Sequence, residues 1–235
     1  MHHNYHAVMH HIRPYRFFTL LDAPTSERMT HVPLPSRRGL GGVSLLETFL
    51  LVAAARIVSA TRIFEFGTFL GSTTLNIALN TPDDASIFTL DLDQESAQGL
   101  RQDDCDAPLT GIHLSAGSNL DFANTAVSSK IETLFGNSQE FDCSPWAGSI
   151  DLVFIDGGHD VPTATCDTNN ALLMTKREKP SCILWHDYGN RDCQALTGYL
   201  DQLSQKIEMF HIEDTMLCVC FQGPCETLHR QLLIP

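Results

Sequence analysis

Residues 63–74 read IFEFGTFLGSTT: a short apolar run, two glycines four residues apart, then a stretch able to open a helix. Strand, turn and helix in that order place the glycines at the carboxyl end of the strand. Glycine belongs where the backbone turns sharply and approaches a ligand with no Cβ in the way. The spacing is GxxxG, not the GxGxxG that seats a pyrophosphate on a helix N-terminus. Gly67 and Gly71 therefore point to a nucleoside with an amino-acid tail rather than to a dinucleotide. Glu65, just before the turn, can orient the ammonium of such a tail through water. Taken alone the segment licenses only a nucleotide-like ligand.

The next apolar run, Ser86–Leu90, ends in Asp91 within FTLDLD. A carboxylate there can accept both ribose hydroxyls. Asp93 shares its face but falls later and reads as a helix cap. Further strand-like runs are Arg62–Phe66, Ile150–Ile155 and Cys182–Trp185, and helix-like segments are Ser72–Asn80, Gln94–Arg101, Ala164–Met174 and Cys193–Gln205. Short apolar strands alternating with helices predict parallel βαβ units with helices on both faces. Glu208–Glu213 and Met216–Gln222 are close enough to form an antiparallel hairpin at the sheet edge. Upstream, Ser44 and Glu47 form a capping box that opens a helix over LLETFLLVAAARIVSA. Residues 102–135 carry no readable pattern. Residues 1–43 hold scattered prolines and six of the eleven histidines, which predicts an irregular arm or cap before a domain at 44–235. The loose histidine spacing lacks the fixed geometry of a metal ligand set.

Length and composition suit one globular domain: 235 residues, 43% hydrophobic and 18% charged. The formal net charge is −13, with 15 basic against 28 acidic residues, and no basic cluster could displace counterions from a phosphate backbone. Nucleic acid is thereby disfavoured and a small-molecule substrate favoured. Eight cysteines form no CxxC pair and read as reduced thiols. The longest apolar stretch, Leu45–Ala60, is interrupted by Glu47 and Arg56 and is too short to span a bilayer, so a soluble, cytoplasmic protein is expected. The arm could pack on a second copy, making a homodimer.

Five motifs in order, EFGTFLGSTT, TLDLD, GNSQEFD, FIDGGHD and WHDY, resemble the class I S-adenosylmethionine (SAM)-dependent methyltransferases, specifically methyltransferase family 24, over roughly Glu47 to Gln222. The resemblance implies an α/β, Rossmann-like, doubly wound sheet of seven mostly parallel strands with a C-terminal antiparallel hairpin. By it, Glu65, Gly67 and Gly71 would hold the methionine part of the cofactor and Asp91 the ribose, with Thr68 and Ser72 also binding the cofactor. Asn137 and Ser138 would meet the adenine edge, and Asp156 would lie beside the sulfonium. One departure is visible: the family places a Pro-Gly-Gly turn before its fifth strand, where this chain has Glu178-Lys179-Pro180-Ser181.

Methyl transfer needs the methyl in line with a nucleophile that has lost its proton. Asp156 and His186-Asp187 end adjacent strands in such a fold, and His159 follows Asp156 by three residues. That position resembles the site of the catalytic lysine in catechol-type O-methyltransferases. His159 is the candidate base, and Asp156 and Asp187 could ligate Mg²⁺. The competing structural reading has Asp187 capping its loop and His186 packing on Trp185. Asp167 reads as a buried carboxylate tying its helix to a loop, and His113, His211 and His229 as surface residues. A small-molecule hydroxyl or amine is the expected acceptor. Two other functions fit the same fold: a nicotinamide-dependent oxidoreductase, and a catalytically silent nucleoside-binding protein.

Overall fold

The computed structural model describes residues 9–21, 29–33, 42–100, 102 and 106–233. Its strands are β1 (His10–Ile12), β2 (Arg62–Phe66), β3 (Ser86–Asp91), β4 (Ile131–Phe135), β5 (Leu152–Ile155), β6 (Ser181–Trp185), β7 (Phe210–Ile212) and β8 (Cys218–Gln222). They form one sheet in the order β1-β7-β8-β6-β5-β2-β3-β4. Only β8 runs against its neighbours, β6 and β7. The helices are α1 (Pro14–Phe18), α2 (Leu45–Ile57), α3 (Ser72–Leu79), α4 (Asp106–Ala116), α5 (Val161–Met174), α6 (Gln194–Ser204) and α7 (Glu226–Leu233).

Alternation along the central strands splits the core into two layers. Ile63, Ile87, Leu152, Phe154 and Leu184 pack with residues of α1, α2, α3 and α7. Phe64, Phe66, Val153, Ile155 and Trp185 point the other way, onto α5 and α6. The doubly wound α/β architecture is the expected one, and the antiparallel β7–β8 hairpin is present, though β1 rather than the hairpin forms the edge. The Ser44 capping box is also present: Ser44 Oγ accepts the Glu47 N–H and the Glu47 carboxylate takes the Ser44 N–H.

Three expectations need correction. The sheet has eight strands, not seven. The additional one, β1, pairs in parallel with β7, covering backbone groups that a bare edge would expose. It comes from the segment expected to be an irregular arm, and Ile12, Phe17 and Leu20 nearby are buried in the core. Residues 94–99 run through turns rather than a helix, with Ser96 donating both N–H and hydroxyl to Asp93 Oδ1. Residues 102–135, patternless in sequence, contain α4 and β4. β4 is an edge strand with no fully buried residue, so it lacks the apolar run of the central strands.

At the amino end of the sheet, Asp151 is 0% exposed. Its Oδ2 accepts the N–H groups of Thr61 (3.0 Å) and Arg62 (2.9 Å), and its Oδ1 meets Lys176 Nζ at 2.7 Å and Lys179 Nζ at 3.0 Å. Burial raises the carboxyl, but the lysines and backbone donors outweigh it and hold the group down at about 2. The stabilisation is complete above the unfolded value, about 3.9, and is lost as pH falls through about 2. Asp151→Ala is expected to cost about 3 kcal/mol by urea unfolding at neutral pH, because it strands buried donors and a lysine pair. A loss below about 1 kcal/mol would show that the pairing contributes little.

Candidate active site

The carboxyl ends of β2, β3, β5 and β6 open on a cleft of about 720 Å³, the location at which open α/β sheets bind ligands. The β5–α5 connection brings Asp156, Gly157, Gly158 and His159 to its wall. Asp160 caps α5 by accepting the Thr163 N–H at 3.0 Å. β6 delivers His186 and Asp187. Asp187 adopts φ +62°, a left-handed conformation uncommon for a residue with a side chain. Asn190 holds it there, donating Nδ2–H to Asp187 Oδ1 at 2.6 Å.

These strand ends build a linked cluster. His186 Nδ1 lies 3.1 Å from Asp156 Oδ1 and 3.0 Å from Asp187 Oδ2, and its Nε2 is 3.5 Å from Glu47 Oε1. His159 Nε2 contacts Asp187 Oδ2 at 2.8 Å while its Nδ1 bonds Asp106. Burial disfavours the charged His159 ring, but its bonds to Asp106 and Asp187 win and push it up to about 10. His186 is likewise raised: burial opposes the charge, and Asp156 leads the groups that overcome it. Burial also raises Asp187, yet the two imidazoles hold it well below the usual carboxylate range. For Glu47, burial is outweighed by His186 and by the N–H groups of Met216 and Ser44, so it falls to about 2. Four carboxyl groups thus share two imidazoles. With both rings protonated the cluster still lacks two positive charges.

The residues expected to hold cofactor divide by position. Gly67, Asp91, Asn137, Ser138 and Asp156 line the cleft, as do His159 and Asp187. Glu65 is fully buried behind the turn, its Oε2 taking hydroxyls from Thr74 and Thr89 and its Oε1 left without a partner. Burial raises it to about 8. Thr68 is buried with its hydroxyl 2.7 Å from that of Thr89. Gly71 immediately precedes α3 and packs on Phe122, and Ser72 is exposed at the first position of the helix. Asp91 faces the glycine turn: Oδ2 accepts the N–H groups of Thr68 (2.9 Å) and Phe69 (2.7 Å), and Oδ1 accepts that of Leu92 (2.7 Å).

Other expectations are revised here. His186 packs edge-on against Phe154 and bonds carboxylates, while the Trp185 indole donates to Thr168 instead. His113 is buried, not superficial, and bridges Phe69 O (2.6 Å) and Leu92 O (2.9 Å) from α4. His211 and His229 are half-buried, His229 lying 2.6 Å from Glu208. Glu47 and Asp106 were not singled out from sequence as members of this cluster. Glu47 was accounted for as a helix cap, which hid its second contact. Asp106 lies in a segment with no pattern. Cys143, Cys166, Cys182, Cys218, Cys220 and Cys225 form no disulfide, in keeping with reduced thiols.

Sheet order, reversed hairpin and a cleft between glycine turn and acidic strand end define the class I methyltransferase type of fold. A family model described as a methyltransferase domain, Methyltransf_24, matches residues 64–188, more than half of the chain. The chain belongs to this family and is a methyltransferase. No curated protein matches it by sequence. Solved structures similar to it include the O-methyltransferase TomG from Streptomyces achromogenes, involved in tomaymycin synthesis and in complex with SAM. That protein is 17% identical over 78% of this chain and 82% of its own, with a TM-score of 0.52. The SAH-bound methyltransferase PaMTH1 from Podospora anserina is 17% identical over 89% and 86%, with a TM-score of 0.54. An O-methyltransferase from Bacillus cereus in complex with SAH is 15% identical over 88% and 91%, with a TM-score of 0.53. No described helix is long and apolar enough to cross a membrane.

Proposed function

We propose that this protein transfers the methyl group of SAM to a hydroxyl or amine of a small molecule, with His159 as base and a divalent cation on Asp156 and Asp187. The observation carrying the reading is the cluster just described, four carboxyl groups and two imidazoles linked beside a cleft that Gly67, Asp91, Asn137 and Ser138 also line. Ligand atoms of Asp156, His186 and Asp187 all lie within 4.8 Å of one another, a spacing that fits a single ion, and oxygen donors suit Mg²⁺. A cation there would supply the two missing charges and lower the pKa of an acceptor hydroxyl. SAM fits the same cleft: Gly67, Asp91, Asn137 and Ser138 line it, and no Lys or Arg among the described residues lines it to attract a pyrophosphate. Bound there, the cofactor supplies its methyl on a sulfonium.

Asp156 and Asp187 would orient the acceptor's oxygen or nitrogen. With Asp187 engaged, His159 keeps Asp106 on Nδ1 and frees Nε2 to take the acceptor's proton. Calorimetry with SAM, SAH and NAD tests the cofactor. Micromolar binding of SAM and SAH without NAD is expected, whereas NAD binding alone would turn the assignment to an oxidoreductase. Activity that survives exhaustive EDTA treatment would remove the cation from the scheme. Binding of SAM without turnover on a broad panel of hydroxyl and amine acceptors would favour a silent nucleoside-binding protein.

A further inference from the structure

The loop after β6 folds back on itself. Asp187 turns with φ +62°, and Asn190 donates its N–H to the Asp187 carbonyl at 3.2 Å. The Cys193 N–H in turn reaches the Asn190 carbonyl at 3.2 Å. Cys193 is thereby returned to the cleft wall, buried at the start of α6. His159 arrives from the β5–α5 connection. One donor atom from each of His159, Asp187 and Cys193 lies within 4.8 Å of the other two. His159 Nε2 already touches Asp187 Oδ2 at 2.8 Å, while Asp106 holds Nδ1. A carboxylate on the far ring nitrogen fixes which nitrogen faces a metal and raises its basicity. The Mg²⁺ placed above on Asp156 and Asp187 has no use for the sulfur, because a hard cation takes oxygen ligands.

We propose that His159 Nε2, an Asp187 oxygen and Cys193 Sγ form a second metal site, one that takes Zn²⁺, with Asp106 orienting the imidazole from behind. Nitrogen, oxygen and sulfur are the donors zinc accepts, and three protein ligands leave its fourth position open. All three residues line the cleft, so that position is left to water or to a ligand in the cleft. A tetrahedral zinc sets its donors roughly 3.3–3.6 Å apart, so each of the three moves by about 1 Å at most. Binding sends to solvent the thiol proton and the proton between His159 and Asp187. One dication for two protons leaves the charge of the cluster unchanged. Zinc also takes the nitrogen on which a base depends, so the zinc-loaded protein is the inactive one. That last consequence rests on the reading of His159 as base; the site itself does not.

The test is titration of cobalt(II), a spectroscopic substitute for zinc, into the full chain and into Cys193→Ser. The unaltered protein should develop a near-ultraviolet thiolate-to-cobalt charge-transfer band that Zn²⁺ erases and millimolar Mg²⁺ does not. Histidines of residues 1–43 can bind cobalt without giving this band, since no cysteine lies in that segment. Cys193→Ser should lose the band with an unchanged circular dichroism spectrum. Asp106→Asn should keep it but need about 10- to 100-fold more cobalt, the loss associated with removing such an outer partner. No band in the unaltered protein, or a band that persists in folded Cys193→Ser, would overturn the proposal. Should Cys193→Ser not fold, X-ray absorption of the zinc-loaded unaltered protein decides. One sulfur at about 2.3 Å is expected, and a shell of nitrogen and oxygen alone would overturn the site. Turnover that persists in zinc-saturated protein showing that sulfur would instead remove His159 as base and leave the site standing.

Discussion

Replacing His159 by alanine is expected to lower kcat about 10²- to 10⁴-fold while leaving SAM affinity within about threefold, the range associated with loss of a positioned base. The imidazole bonds Asp106 and Asp187 rather than Gly67, Asp91, Asn137 or Ser138, so its removal breaks no bond to those cofactor candidates. Its protonation sets a condition on the chemistry. With both carboxylates engaged the ring is held up at about 10, and a protonated ring has no lone pair with which to accept a proton. Removing one partner's charge lowers that value. The rising limb of kcat against pH should therefore lie below pH 10 when Mg²⁺ is supplied, and should be absent in the variant. Asp106→Asn should move the limb to lower pH still, since it removes a group that favours the charged ring. Turnover unchanged in His159→Ala would leave the histidine a structural clasp between α4 and β6.

How far the residues announce this site depends on the range of the contact. The strand, turn and helix at 62–79, the capping box at Ser44, and the strand ends at Asp156 and Asp187 are local patterns, and the structure has them where the spacing puts them. The eighth strand was illegible because three residues of β1 gain their place by pairing with β7, some two hundred positions away. Glu47 had a local explanation that was correct and incomplete. The carboxylate that caps α2 also accepts the Met216 N–H at 2.8 Å and faces His186, and neither contact leaves a mark on the spacing around it. Asp106 and His113 share a helix without an apolar stripe, so nothing local marks the two residues that fasten it over the cleft.

The glycine turn is the case in which pattern and cause part company. Gly67 was expected to spare a ligand from a Cβ, yet the nearest obstacle is the chain itself. A Cβ there would lie 2.6 Å from the carbonyl carbon of Asp156 and closer still to its oxygen, and φ is already +92°. Both clashing atoms are backbone at the end of β5, pinned to β2 by the Asp156 N–H bond to Phe66 O at 2.9 Å. No rotamer change can relieve the contact. Gly67→Ala should therefore cost about 3–5 kcal/mol, combining left-handed strain with forced separation of two core strands. It should also abolish activity, because the displaced strand end carries Asp156. Gly71→Ala is the control. Its φ is +81°, but the Cβ would meet Cδ1 and Cε1 of the Phe122 ring at 2.7 Å, and a side chain at the edge of a small cluster can move aside. About 1–2 kcal/mol is expected, mostly strain. Equal losses in the two variants, measured by urea unfolding, would mean that the β2–β5 junction is more pliable than its hydrogen bonding indicates.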